Sequence, residues 1–363
     1  MKNLKMLFAA GFIFLCCACS GGCSGNLNEQ QTETSLGEKN NSKNQLPLTL
    51  VNWNLQTFFD TNKDGCEYSE FQKSSDWNKE KYNQRLVNLC QVITSLDADI
   101  YVFEELENEG IIYDISNNLA GSGQNWNQKK FWNYSVFAKE EGTAIGIGIL
   151  SRYPLSKAKT HSMDIRLHKD REPAIRYIVE ASVYAKDRTL TILANHWKSK
   201  LGGTEATEIW RDWQESILAK RICELLKNES GQNACDGIII CGDFNRDAQD
   251  FICNFKESSS YLEKQQNTIL RFADFGFTDF VSAQSMWFSD YGGLLHQTGS
   301  YVYDDQWERI DNILITGNLR IAEAGPCISS PWALAKGYPY SYKLYSGQGF
   351  SDHLPVMAKI LIM

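Results

Sequence analysis

The sequence predicts a mixed α/β (α+β) domain in which two β-sheets pack face to face with helices outside. Short apolar runs of strand type outnumber helical stripes along the chain. Two long segments nevertheless carry the 3.6-residue apolar period of helices lying on a core. No Pro-, Gly- or Ser-rich linker interrupts the chain beyond residue 46, so one layered domain over residues 47–363 is expected.

The elements follow in order. LTLVNWNL (Leu48–Leu55) is short and apolar and reads as a buried strand. Lys79–Leu96 places Tyr82, Leu86, Leu89, Cys90, Ile93 and Leu96 on one helical stripe. Strand character returns at Ile100–Phe103, Ile145–Ser151, Ile175–Ala185 and Arg188–His196, the last two joined by a tight turn near Lys186-Asp187. A helix is predicted from about Thr204, a plausible N-cap, to Lys227, with Ile209, Trp213, Ile217, Leu218, Ile222 and Leu225 facing inward. GIIICGDFN (Gly237–Asn245), RIDNILIT (Arg309–Thr316) and LPVMAKILI (Leu354–Ile362) complete the strands, and no internal repeat is present.

Composition sets bounds. At 43% hydrophobic and 22% charged, the 363-residue chain can build a substantial soluble core. No apolar stretch after residue 25 approaches the roughly 18 residues needed to span a bilayer. The formal charge is −8, and removing residues 1–22, with Lys2 and Lys5 and no acid, makes it −10. Such a balance gives no support for binding nucleic acid non-specifically through its backbone, and it leaves room for contact with phosphate at one local site.

The first residues form a separate unit. Lys2 and Lys5 precede an apolar run from Met6 to about Leu15, then small residues and cysteines, the layout of a secretory signal over residues 1–23. Cysteines at the end of such a run resemble a bacterial lipobox, with Cys19 or Cys23 as the acylated residue. Residues 24–46 are polar, cannot pack a core and read as a tether. The expectation is an exported protein held by lipid in the cell envelope. Beyond residue 25 stand seven cysteines, none spaced C-x-x-C, which argues against a zinc site. An exported chain permits disulfides, whose pairing the sequence does not specify.

Polar residues interrupt the strand ends. Asn54, Glu105, His196, Asp243 with Asn245, Asp311, and the adjacent pair Asp352-His353 all lie at or beside strands. Strand ends of layered α/β folds converge and commonly build the ligand crevice. A single aspartate after a strand is usually a turn or cap; the joint pattern points to a site.

Asn54, VFEELEN (Val102–Asn108), ILSRYPL (Ile149–Leu155), NHWKSK (Asn195–Lys200), GDFN (Gly242–Asn245), RIDNIL and SDHLPV (Ser351–Val356) occur in the order of the endonuclease/exonuclease/phosphatase superfamily. The chain resembles that superfamily from about Leu48 to its end. The resemblance implies a four-layer sandwich of two mixed sheets flanked by helices, deoxyribonuclease I-like, with the site at one end. It implies Glu105, Asp352 and Asn54 at a metal, His353 as general base oriented by Asp311, and His196, Asn245 and Asp243 as further catalytic residues. Lys198, Lys200 and Arg152 would contact substrate. Two departures stand out: Glu104 occupies the place of the usual Gln, which adds a carboxylate, and Asn312 stands where His is common.

Phosphodiester hydrolysis needs a polarised phosphoryl group, a deprotonated water and a stabilised leaving oxygen. A hard cation on oxygen ligands suits this, Mg2+ or Mn2+, with Ca2+ as a further option. A neutral imidazole backed by a carboxylate suits the base, and Asn245 can donate to transition-state oxygens without adding charge. NHWKSK resembles secreted bacterial nucleases, so the expected substrate is DNA, or RNA. A phosphatase or sphingomyelinase-type phosphodiesterase is the alternative on the same fold, and a non-catalytic binding lipoprotein is a third reading that the set of site residues disfavours. The aromatic segment Pro331–Gly349, with Lys336 and Lys343, would suit single-stranded nucleic acid, a lipid headgroup or simply a packed loop. The remaining histidines, His161, His168 and His296, match no motif and read as surface residues. No protein partner is implied, and a monomer is expected.

Overall fold

The computed structural model describes residues 45–121, 131–163, 175–226, 235–251, 267–274, 277–290 and 292–363. Cys19, Cys23, His168 and Cys253 lie outside them. In chain order the elements begin with β1 (Leu46–Phe58), α1 (Ser69–Lys73), α2 (Lys79–Leu96), β2 (Ile100–Leu106) and α3 (Glu109–Gly121). Next come β3 (Tyr134–Ala138), β4 (Gly146–Ser151), β5 (Lys159–His161), β6 (Ile178–Ala185), β7 (Arg188–His196) and α4 (Thr204–Leu226). The series continues with β8 (Gly237–Asp243), β9 (Thr268–Asp274), β10 (Phe277–Ser285), β11 (Tyr301–Tyr303) and β12 (Gln306–Glu308). It ends with β13 (Asp311–Gly317), β14 (Leu319–Pro326) and β15 (Val356–Ile362).

Two sheets carry the fold. One has six strands in the order β14-β15-β1-β2-β4-β3, the other seven in the order β5-β6-β7-β8-β13-β10-β9. Each contains one parallel pair, β1 with β2 and β7 with β8, among antiparallel neighbours, so both sheets are mixed. The strands alternate in burial partner. Leu48 and Leu50 of β1 and Ile100 and Val102 of β2 pack in the seam between the sheets, against Ile192, Ala194, Ile239, Cys241, Ile313 and Ile315. Val51, Trp53, Tyr101 and Phe103, on the opposite face, meet α2 and α3. Leu193, Ile238, Ile240 and Leu314 meet α4 on the far side of the second sheet. Three apolar seams between four layers follow directly from period-two side chains.

Helix α2 behaves as its stripe predicts. Asn78 accepts the Lys81 N–H through its side chain at the start, which satisfies one orphan donor of the first turn. Asp97 turns left-handed at the end. Helix α4 departs from the prediction. Ile209 and Trp213, expected inside, are 53% and 40% exposed, while Thr207, Arg211, Gln214 and Glu215 are buried. Its first half packs on a polar network: buried Arg246 bonds Glu215 Oε2 at 2.5 Å, Asp212 Oδ1 at 2.5 Å and the Glu208 carboxylate. A paired, hydrogen-bonded guanidinium takes the place that the apolar period would assign to Ile209 and Trp213.

Other expectations are corrected as well. Ile175–Tyr177 precede β6 rather than belonging to it. The aromatic segment is largely a packed loop: Trp332 and Tyr342 are buried in the core of the six-stranded sheet's outer seam, and Tyr345 is exposed. His161 is half-buried, its Nε2 at 2.8 Å from Glu180 Oε2, and His296 Nε2 lies 2.7 Å from the Ala324 carbonyl. Cys66, Cys90, Cys235, Cys241 and Cys327 carry free thiols. Among the described residues no helix is long and apolar enough to cross a membrane.

Candidate active site

The inter-sheet seam changes character at one end, and the change can be followed along each strand. In β1 the inward row runs Leu48, Leu50, Asn52, Asn54; in β2, Ile100, Val102, Glu104. In β7 it runs Ile192, Ala194, His196; in β8, Ile239, Cys241, Asp243. Antiparallel β13 enters at the same end with Asp311 ahead of Ile313 and Ile315. Every row ends in a polar side chain that is nearly or fully buried. Gly242 allows the two central strands to meet there. At φ +145° it has no room for a side chain, because a Cβ would fall 2.0 Å from the Asn195 carbonyl oxygen, so β7 and β8 close where His196 and Asp243 stand in register.

The Ser351–His353 loop completes this end. Trp53 Nε1 donates to the His353 carbonyl at 2.9 Å, and Ser351 Oγ donates to the Asn54 carbonyl at 2.6 Å while accepting the His353 N–H at 3.1 Å. So held, His353 places Nδ1 2.8 Å from Asp311 Oδ2. Tyr301 lies against the imidazole with ring centroids 4.7 Å apart. Burial works against a charged imidazole, but the Asp311 carboxylate outweighs it, and the proton affinity of His353 rises well above the ordinary histidine value. His196 Nε2 lies 3.7 Å from both Glu105 Oε1 and Asp243 Oδ2, but burial, followed by the Arg176 and His353 charges, holds it well below that value and favours the neutral ring. Asp243 is pushed up by burial and by Asp311 nearby, with His353 opposing.

Glu105 reaches the same cleft through an unusual backbone. It sits at φ +65°, beside Gln56 and Thr57 at +53° and +54°, conformations that cost non-glycine residues about 1–3 kcal/mol each. They aim amides at the carboxylate end: Thr57 N–H donates to Glu105 Oε2 at 2.6 Å and Gln56 N–H to Asn54 Oδ1 at 3.0 Å. Asn54 in turn donates to Glu105 Oε1 at 3.2 Å and to Asp243 Oδ2 at 3.1 Å, spacing the two acids. Asp352, partly exposed, stands across from them with Oδ1 4.0 Å from His353 Nε2. Among the described residues no lysine or arginine pairs with Glu105 or Asp352. The donor set facing the cleft is therefore carboxylate and amide oxygen, which fits a hard divalent cation. Glu104 Oε1 and Asp311 Oδ1, buried beneath it, accept from no group among the described residues. Asp243, Asp311 and His353 also bring ligand atoms within 4.8 Å of one another, but His353 Nδ1 is already committed to Asp311, so Glu105 and Asp352 are the better candidates.

The cleft has a volume of about 500 Å³, and Asn54, Glu105, His196, Asp243, Asn245, Asp352 and His353 all line it. Asn245, left-handed at φ +47°, donates its N–H to Asp243 Oδ1 and its side-chain amide to the Trp197 carbonyl. Lys200 is on the wall, its Nζ 2.9 Å from Glu308 Oε1. Lys198 does not line the cleft; its Nζ lies 3.4 Å from the Ser199 carbonyl. Arg152 is at the wrong end altogether. Strand β4 runs antiparallel to β2, pairing Ser151 with Ile100, so Arg152 meets Asp97 and Asp99 at the start of β2 while the site lies at its finish. Glu104, the extra carboxylate, is fully buried. Burial, then Asp311 and Asp243, push it well above the ordinary value, which favours its neutral form. Asn312 faces away and accepts from Ser285 Oγ.

Arg176, Tyr301 and Tyr303 line the cleft without having been singled out. Arg176 was within reach. With the turn at Lys186-Asp187, Val179 pairs with Ala194, and two residues on, His196 faces the neighbourhood of Arg176. No sequence signal marks Tyr301 or Tyr303.

The sequence matches the model of the Endonuclease/Exonuclease/phosphatase family over residues 49–327. A search of curated proteins finds no significant match. Among solved structures, a humanised Danio rerio TDP2 carrying 14 mutations superposes with a TM-score of 0.51 at 14% identity, covering 86% of this chain and 98% of that one. An endonuclease/exonuclease/phosphatase family protein from Bacteroides thetaiotaomicron gives 0.50 at 15% identity, covering 88% and 99%. At such identities the likeness is one of fold.

Proposed function

Because the chain belongs to the endonuclease/exonuclease/phosphatase family, we propose that it is a metal-dependent phosphodiester hydrolase acting on nucleic acid, DNA foremost. The observation that carries the reading is the opening of the Asp311–His353 pair into the same cleft as Glu105 and Asp352. Glu105 and Asp352, with Asn54 and Asp243 behind them, would hold Mg2+ or Mn2+, which when bound polarises the phosphoryl group and stabilises the leaving oxygen. In its neutral form His353 takes the proton of the attacking water at Nε2, and Asp311, whose carboxylate raises the ring's proton affinity, fixes Nδ1–H and stabilises the imidazolium so formed. His196, neutral, is suited to donating a hydrogen bond to a phosphoryl oxygen, and Asn245 to a second. Arg176 and Lys200 supply positive charge on the wall for the flanking phosphates. Tyr303, 66% exposed beside them, offers a face for base stacking.

A digestion panel in Mg2+ tests this, comparing plasmid, linear DNA, RNA, sphingomyelin and inositol phosphates. Cleavage of plasmid or linear DNA is expected. Hydrolysis of sphingomyelin or inositol phosphates with no action on either nucleic acid would overturn the substrate reading in favour of the lipid or phosphatase alternative.

The proposed place of action is the cell envelope, through a lipid on Cys19 or Cys23. Its support is the order of Lys2, Lys5, the apolar run and the cysteine cluster. Palmitate labelling of the protein, lost on Cys→Ala at one of the two positions, is the expected result; unlabelled protein that stays in the aqueous phase of a detergent partition would refute it.

A further inference from the structure

The left-handed turn at Gln56-Thr57 that serves Asn54 and Glu105 is held from behind. Arg85, in the middle of α2, is 2% exposed, and among the described residues no carboxylate is in contact with it. Its guanidinium donates to three successive carbonyls: Leu55 at 2.6 Å, Gln56 at 2.7 Å and Thr57 at 3.0 Å. The plane is clamped between two rings, Phe58 at 4.6 Å and Tyr342 at 3.9 Å. Tyr342 is fixed to the same turn, since its N–H donates to Gln56 Oε1 at 2.7 Å and its carbonyl accepts from Gln56 Nε2 at 3.3 Å.

A buried cation spent on backbone carbonyls is costly unless the carbonyls need it. Three carbonyls pointing one way leave the adjoining amides pointing the other, toward the site. Those amides are the Gln56 and Thr57 N–H groups that fix Asn54 Oδ1 and Glu105 Oε2. We infer that Arg85 is a positioning residue: by pinning the carbonyls of residues 55–57 it holds Glu105 and Asn54 in the geometry that receives the divalent cation. The inference rests on the metal-dependent reading above. A planar fork can span three carbonyls, whereas an ammonium can satisfy one or two at a time.

The test uses the whole chain with Arg85→Lys and Arg85→Met, and Leu86→Ala as a control that truncates the neighbouring core side chain without touching the turn. Mn2+ affinity is measured by electron paramagnetic resonance on the free protein, alongside kcat, KM and Tm at a temperature where all variants are folded. Removing such outer support typically costs about 10–100-fold in metal affinity or activity. The expected result is weaker Mn2+ binding and lower kcat at near-constant KM, worse for Arg85→Met than for Arg85→Lys. Leu86→Ala should lower Tm alone. If Arg85→Met lowers Tm as Leu86→Ala does while Mn2+ affinity and kcat stay at wild-type values, the inference is overturned and the arginine is only structural. If the wild-type protein itself binds no Mn2+, the metal reading fails first.

Discussion

His353 and Asp311 meet at 2.8 Å although they belong to different sheets. Asp311 opens β13 in the seven-stranded sheet, and His353 stands just ahead of β15 in the six-stranded one. The pair exists only because the sheets are stacked, and its distance is set by the thickness of the apolar seam behind it.

If that pair is the base and its orienter, His353→Ala should lower turnover by roughly 10²–10⁴-fold. Asp311→Asn should also lower it strongly. The double variant should cost little beyond His353→Ala, since groups acting as one unit are not additive. Steady-state kinetics on the best substrate of the panel decide; wild-type turnover by a folded His353→Ala protein removes the histidine from the mechanism.

Chelation should abolish hydrolysis and Mg2+ or Mn2+ should restore it. Asp352→Asn is expected to raise the Mg2+ concentration for half activity, because one open oxygen of the donor set loses its charge. A metal titration of turnover reads this out. Full activity in EDTA is the adverse result.

Glu104→Gln should leave turnover within about threefold, because the amide removes a charge that burial already disfavours. Glu104→Ala is different: it removes the acceptor of the Asn52 side chain, and an unpaired buried polar group costs about 1–3 kcal/mol. Urea unfolding of both variants checks the contrast.

Glu180 sets an acid limit on stability. Burial would raise its pKa, but hydrogen bonds from His161 and Arg221 overcome that and hold it at about 2. A carboxylate depressed in the folded state contributes fully above its ordinary value of 4.5 and loses that contribution as pH falls toward 2. The urea midpoint should therefore drop between pH 5 and pH 2 more steeply in wild type than in Glu180→Gln. His161→Ala should weaken the same dependence without changing turnover, as it lies outside the cleft.

Much of this architecture was legible because local periods and global packing agree. Helix α2 runs from Lys79 to Leu96 as its stripe indicates, and the Lys186-Asp187 turn sets the β6–β7 register. The polar ends of the strands assemble as expected because period-two alternation carries each apolar row into the cleft. The stripe of Ile209 and Trp213 misled because Arg246 draws Glu208, Asp212 and Glu215 to the contact face, a long-range network that a helical period does not encode. Arg152 misled for a geometric reason: a motif carries no strand direction, and β4 runs away from the site. Arg85 went unremarked because its partners are backbone carbonyls, which have no sequence signature.

The alternation that ends each inward row in a polar residue also makes the candidate site a readout of folding accuracy. Slipping β8 by one residue against β7 would swing Asp243 out toward α4 and bring Ile240 into the seam. A chain mispaired in that way could remain compact and rich in β-structure, yet it would be catalytically silent. Turnover per molecule in a refolded sample should then count correctly registered chains, a quantity that circular dichroism and size-exclusion do not separate from compact misfolds.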